Sequence, residues 1–412
     1  MTVDPEEEVL TTDNPRPARM PPGRLTRPEL GTTPWRTTVS LIRKTQSRRR
    51  RTLAALISAS ALVLAACTTA EPGTPAPDGD DAVDTGSGGE DIVLAQAIRS
   101  LSNPYHANWA AGGELFAESV GMETVVLTDD GDSQKQLAQI QSLLAGGQTV
   151  VLNVDPNTSS DAEAIVRAVT EAGGFVVTQW NKPDGLHPWD VSDNWVAHIS
   201  FDGTVAGYEI AKALFEEMGG EGGIIALQGI LDNVPAQQRF AGLQRALEEY
   251  PNIELLDQQT AEWDRNTGFE VTQTLLSKHG DAVGGVWAAN DNMALGALEA
   301  LRAAELGGQI PVVGVDAVPE ALEAVQDSEN TGYIATVSSD AFWQGGAALA
   351  LAYQAATGQF DVASASNDQR EFYGTQFLVT KDNVADFLQT PTLPDLQGDF
   401  DNPFARSTGP IA

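Results

Sequence analysis

Val283-Gly284-Gly285-Val286-Trp287-Ala288-Ala289-Asn290-Asp291-Asn292-Met293-Ala294-Leu295-Gly296-Ala297-Leu298 reads as a buried strand, a polar turn and the start of a helix. The apolar run 283–288 has the length of a strand rather than of a helix. After the Asn-Asp-Asn cluster, Met293, Ala294, Ala297, Leu298 and Leu301 recur at the spacing of one helical face. Asp291, at the junction, is either merely a helix cap or a strand-end polar group available to a ligand.

The same unit repeats on both sides of this stretch. Short β-branched runs at 92–98, 124–127, 150–154, 175–179 and 196–200 form one series of strands. A second series follows at 224–227, 253–258, 283–288, 312–315 and 333–337. Helical patterns separate them, among them 104–120, 133–144, 161–172, 203–218, 236–250, 267–279 and 291–306. Alternation of this kind means parallel sheets joined by right-handed crossovers. Two series of about five strands imply two open sheets, with a ligand held between them at the carboxyl ends of the strands.

Composition narrows the function. Residues 1–66 hold 11 of the 24 Lys and Arg but only 6 of the 57 Asp and Glu, so the rest of the chain carries 13 basic against 51 acidic residues. So acidic a surface repels phosphate backbones, which argues against a nucleic-acid partner. Cys67 is the only cysteine, excluding an internal disulfide and a Cys-based metal site. The histidines His106, His187, His198 and His279 are scattered, so no metal is expected. No Gly-x-Gly-x-x-Gly follows the first strand, and neither a phosphate loop nor a nucleophile elbow occurs. No cofactor and no catalytic residue are expected.

The N-terminal part reads as an export signal. Arg48-Arg49-Arg50-Arg51 precedes an uncharged run, 52–66, too short to span a bilayer. It ends in Leu64-Ala65-Ala66-Cys67, which resembles the lipobox of bacterial lipoproteins. That resemblance implies cleavage before Cys67 and lipid on its thiol, with more than one acyl chain for stable anchoring. Arg50-Arg51-Thr52-Leu53 hints at twin-arginine export. The Pro- and Arg-rich residues 1–42 suggest a translation start near Val39. Residues 67–90, dense in Pro, Gly, Asp, Thr and Ser, are expected to be a flexible tether.

The strand ends carry side chains suited to sugar hydroxyls, which both donate and accept hydrogen bonds. The first strand ends at Asn103-Pro104-Tyr105-His106, where Asn103 is either a helix cap or a cap and a ligand contact. Asp155-Pro156 ends the third strand, Trp180-Asn181-Lys182 the fourth, and Asn290-Asp291-Asn292 the eighth. Asp316 follows the buried run Val312-Val313-Gly314-Val315. Trp109 sits at helical spacing and reads as core. Trp263 is either a binding wall or core.

From 91 to about 381 the chain resembles the ribose-binding-type (type I) periplasmic sugar-binding proteins of ABC importers. The resemblance lies in Asn103-Pro104-Tyr105, His198-Ile199-Ser200-Phe201-Asp202, Leu227-Gln228-Gly229, Asp264-Arg265, Asn290-Asp291-Asn292-Met293-Ala294-Leu295-Gly296-Ala297-Leu298 and Val312-Val313-Gly314-Val315-Asp316. It implies an α/β type I periplasmic-binding-protein fold: two Rossmann-like open parallel-sheet lobes joined by three crossovers, near 201–202, 338–340 and 367–371. The domains implied are 1–66 (extension and signal), 67–90 (tether), 91–201 with 340–368 (first lobe), 202–339 with 369–385 (second lobe) and 386–412 (tail).

The ligand contacts implied are Asn103, Tyr105, His106, Asp155, Trp180, Asn181, Arg239, Trp263, Asn290, Asp316 and Ser339. Trp180-Asn181 stands where that family often has Asp-Arg, and Ser339 where it commonly has glutamine, which argues against plain ribose. The function implied is a monomeric, extracytoplasmic binding protein, lipid-anchored to the membrane, that captures a monosaccharide or polyol and hands it to an ABC transporter permease. The alternatives are a ligand-presenting sensor for a membrane receptor kinase, or a glycosidase using two of Asp155, Asp202, Asp264 and Asp316.

Overall fold

The computed structural model describes residues 92–411. The expected signal segment, Cys67 and the expected tether lie outside the described residues. Two sheets form two lobes. In the first, β1 (Ile92–Ile98), β2 (Thr124–Thr128), β3 (Thr149–Val154), β4 (Phe175–Gln179) and β5 (Trp195–Ser200) run parallel in the order β2-β1-β3-β4-β5. The second lobe repeats that order with β6 (Glu221–Gln228), β7 (Asn252–Thr260), β8 (Val283–Ala288), β9 (Val312–Val313) and β10 (Tyr333–Ser338), arranged β7-β6-β8-β9-β10. The central strands are buried on both faces because helices cover both faces. Residues 150–154 of β3 and 285–288 of β8 are all buried.

The first two crossovers fall where expected, after β5 and after β10. The third falls later than 367–371. β11 (Glu371–Gly374) still pairs with β5 in the first sheet, and β12 (Phe377–Thr380) pairs antiparallel with β10 in the second, so the chain crosses at 375–376. Residues 371–374 therefore belong to the first lobe.

The segment 386–412 also does more than trail from the second lobe. Its helix Leu393–Asp401 buries Leu396 and Phe400, and Phe400 meets Phe116 edge-on at 5.6 Å. β13 (Ser407–Pro410) then closes the first sheet against β11. Few apolar residues in a polar stretch achieve this docking, too few to leave a periodic signature in sequence.

The helices Gly203–Glu217 and Val234–Glu249 pack closely enough to decide where Arg239 stands. A Cβ on Gly207 would come within 2.0 Å of the Arg239 carbonyl oxygen, so only glycine allows that approach.

Candidate functional site

A narrow cleft opens between the lobes, at the carboxyl ends of strands from both sheets. Ten of the eleven expected residues line it: Asn103, Tyr105, His106, Asp155, Trp180 and Asn181 from the first lobe, and Arg239, Trp263, Asn290 and Asp316 from the second.

On the first-lobe wall, Asn103 caps helix Pro104–Ser119. Its Oδ1 accepts from the Tyr105 amide at 3.0 Å, and its amide nitrogen is left for the cleft. The Tyr105 hydroxyl donates to Gln344 Oε1 and accepts from Trp180 Nε1, both at 2.6 Å. Fully engaged, it offers the cleft only its ring, and burial raises its pKa well above the usual phenol range. Asp155 lies 3.2 Å from His106 Nε2 and accepts from Asn181 Nδ2 at 3.1 Å.

On the second-lobe wall, Arg239 donates from Nη1 to the Ala289 carbonyl at 2.7 Å and lies 3.9 Å from Asp316 Oδ1. Its Cζ is 5.2 Å from the Trp180 ring centre and 5.6 Å from that of Trp263. Both aromatic rings expected to face a ligand thus also lie in cation–π range of one guanidinium. Burial pushes the Asp316 pKa up further than Arg239 and Asn290 pull it back, and Asp291 pushes it the same way; burial lowers that of Arg239.

Trp180, Trp263 and Asp316 all have left-handed backbones, with φ of 59°, 63° and 127°. Such strain persists only where the surroundings enforce it, and it gathers at functional sites. For Trp263 the enforcement is visible. Its ring lies so close to Gly229 that a Cβ there would be 2.0 Å from Cζ2, its Nε1 donates to Asn233 Oδ1 at 2.7 Å, and its carbonyl accepts from Asn292 at 2.8 Å.

Ser339 does not line the cleft. Its hydroxyl and carbonyl both accept from Gln344 Nε2, at 2.9 and 3.0 Å, which turns it toward helix Ala341–Ala356. Asp291 is not the helix cap. Asn290 is, accepting from the Met293 amide at 3.0 Å, while Asp291 is wholly buried. Trp109 is core, at 0% exposure.

The cleft also uses Arg99, Pro156, Asn157, Asn233 and Pro235, which sequence reasoning missed. Asn233-Val234-Pro235 opens a helix much as Asn103-Pro104 does, and that was the available signal. Asn233 Nδ2 donates to the Asn157 carbonyl at 2.8 Å, and the Ser159 amide to that of Asp232 at 3.2 Å, so the two lobes touch across the cleft mouth.

Four residues that line the cleft hold a buried polar atom with no partner within the protein: His106 Nδ1, Asn157 Oδ1, Asn181 Oδ1 and Arg239 Nε. A buried polar group left unpaired is costly, so their gathering in one cleft marks it as a place for a polar ligand. Among the described residues, no cluster of three or more His, Cys, Asp or Glu could hold a metal ion.

Known proteins match this architecture. Residues 95–360 match the family described as Periplasmic binding protein domain. A ribose import binding protein of Salmonella typhimurium is 34% identical over 244 residues, which cover 59% of this chain and 78% of that protein. A xylitol-binding protein of Mycolicibacterium smegmatis is 29% identical, covering 54% and 61%. A crystal structure of a twin-arginine translocation pathway signal protein from Burkholderia phytofirmans is 46% identical, with a TM-score of 0.75 over 79% of this chain and 99% of that one. An ABC transporter solute-binding protein from Bacillus halodurans with bound myo-inositol is 26% identical, with a TM-score of 0.63 over 74% and 100%.

Proposed function

The chain belongs to the periplasmic binding protein domain family, and on that footing we propose that it captures a small, hydroxyl-rich solute between its lobes and delivers it to an ABC importer. The solute class is a monosaccharide or a polyol. The observation that carries this reading is that His106, Asn157, Asn181 and Arg239, each holding an unpaired polar atom, line one cleft between two lobes together with Asp155, Asp316 and Asn290. They supply acceptors and a guanidinium donor, while the Tyr105, Trp180 and Trp263 rings supply flat surfaces for C–H faces. Relatives named for ribose, xylitol and D-allose support the same class.

We further propose that the protein is exported and held to the outer face of the membrane by lipid on Cys67. The basic flank, the short apolar run and Leu64-Ala65-Ala66-Cys67 support this. Residues 67–90 then act as a tether.

A thermal-shift screen against ribose, xylitol, D-allose and myo-inositol tests the solute class. A binder present at a hundred times its Kd stabilises the fold by about 2.7 kcal/mol, a clear rise in Tm. If sugars and polyols leave Tm unchanged while another solute class raises it, the reading fails.

A further inference from the structure

Asp316 reaches the cleft from a backbone that resists being there. It and Ala317 are consecutive non-glycine residues with φ of 127° and 52°. Two such residues in a row persist only where neighbouring groups over-determine the conformation. Three successive amides show what holds them. The Asp316 amide donates to the Val337 carbonyl at 2.8 Å, the Ala317 amide to Thr336 Oγ1 at 3.1 Å, and the Val318 amide to Asp291 Oδ2 at 3.0 Å. The last two acceptors are side chains, and they are joined: Thr336 Oγ1 donates to Asp291 Oδ1 at 2.7 Å.

Asp291 is thus the hub. Its Oδ1 also accepts from the Tyr333 hydroxyl at 2.6 Å, so one buried carboxylate gathers three donors. Both Asp291 and Thr336 are 0% exposed, and neither lines the cleft. The strand beside them makes room, since a Cβ on Gly314 would lie 2.0 Å from the Tyr333 hydroxyl and 2.4 Å from Asp291 Oδ1.

We propose that Asp291 and Thr336 are positioning residues, which hold the turn 316–318 in its left-handed form and thereby aim the Asp316 carboxylate at the bound solute. The proposal rests on the solute-binding reading for its consequence, while the turn itself is held by the protein's own groups. Burial of Asp291 outweighs its three donors and raises its pKa to about 6. A fold that only needed to pack here would be served by an apolar side chain.

The test compares Thr336→Val, which keeps the shape and removes the hydroxyl, with Thr336→Ser, which restores it. Thr272→Val is the control: a second fully buried threonine of the same lobe, bonded to the Gly268 carbonyl and away from the cleft. Calorimetry uses whichever of ribose, xylitol, D-allose and myo-inositol gives the wild-type protein its largest thermal shift. Thr336→Val is expected to weaken binding about tenfold or more, Thr336→Ser to recover most of the loss, and Thr272→Val to stay within about twofold. Amide exchange without solute, measured alongside, is expected to be at least about tenfold faster at Ala317 in Thr336→Val alone.

Wild-type affinity in Thr336→Val, or a Thr336→Ser variant as weak as the valine, overturns the proposal. So does unchanged exchange at Ala317. If the wild-type protein binds none of the four compounds, exchange at Ala317 still decides the role of Thr336, and the solute class is judged by the wider thermal-shift screen.

Discussion

Arg239 Nη1 and Asp316 Oδ1 face each other across 3.9 Å, close enough to attract and too far apart to hydrogen-bond. Each therefore keeps hydrogen-bonding capacity for a third party. Arg239 retains an unpaired Nε, and Asp316 is buried beside it with its pKa raised, chiefly by burial. A hydroxyl placed between them can donate to the carboxylate and accept from the guanidinium.

Removing one member of this pair should therefore leave the other poorly matched. Asp316→Asn and Arg239→Lys are each expected to weaken solute binding by about 1–3 kcal/mol, or roughly five- to 150-fold. Isothermal calorimetry measures this directly. Wild-type affinity in both variants means the solute sits elsewhere.

The buried Asp291 sets a pH dependence whose sign can be worked out. Its folded pKa of about 6 lies above its ordinary value of 3.8. Between those values the folded state holds more protons than the unfolded chain, so stability from this group falls as pH rises and levels off above about 6. Asp316, raised for the same reason, adds in the same direction. The Tm difference between wild type and Asp291→Asn is expected to change in the wild type's disfavour from pH 4 to pH 6. A difference constant over that interval contradicts the assignment.

Asn233 links an aromatic wall to the contact between lobes. It accepts from Trp263 Nε1 and donates to the Asn157 carbonyl. Asn233→Ala is expected to speed solute release about tenfold, with association changed much less, because the bond it removes joins lobes that have already met. Stopped-flow tryptophan fluorescence separates the two rates. Unchanged release would show that closure does not depend on this residue.

Cys67 is expected to carry lipid, and Cys67→Ser to leave the protein unprocessed or free in the medium. Mass spectrometry of native protein decides between a lipidated, cleaved N-terminus and an unmodified thiol in an uncut chain.

Local pattern determined much of this protein. The strands Ile92–Ile98, Phe175–Gln179 and Val283–Ala288 and the helix Ser133–Leu144 have the limits that their apolar spacing implies, because that spacing is a property of neighbours in sequence. Eight cleft residues were legible for a related reason, while Arg239, inside the helix Val234–Glu249, and Trp263 were marked only by the family resemblance. In a doubly wound sheet, a polar residue just past a buried strand is carried to the carboxyl edge, wherever the sheet finally stands. Tertiary structure alone decided the rest. Ser339 turned away because Gln344 claimed it, and the third crossover moved to 375–376 because β11 found its partner in β5. The left-handed turn at Asp316 is the clearest case. No local preference favours it, and its acceptors Thr336 and Val337 lie some twenty residues further along the chain while Asp291 lies well before it. Backbone strain of that kind is sustained only by contacts that form once the chain has folded.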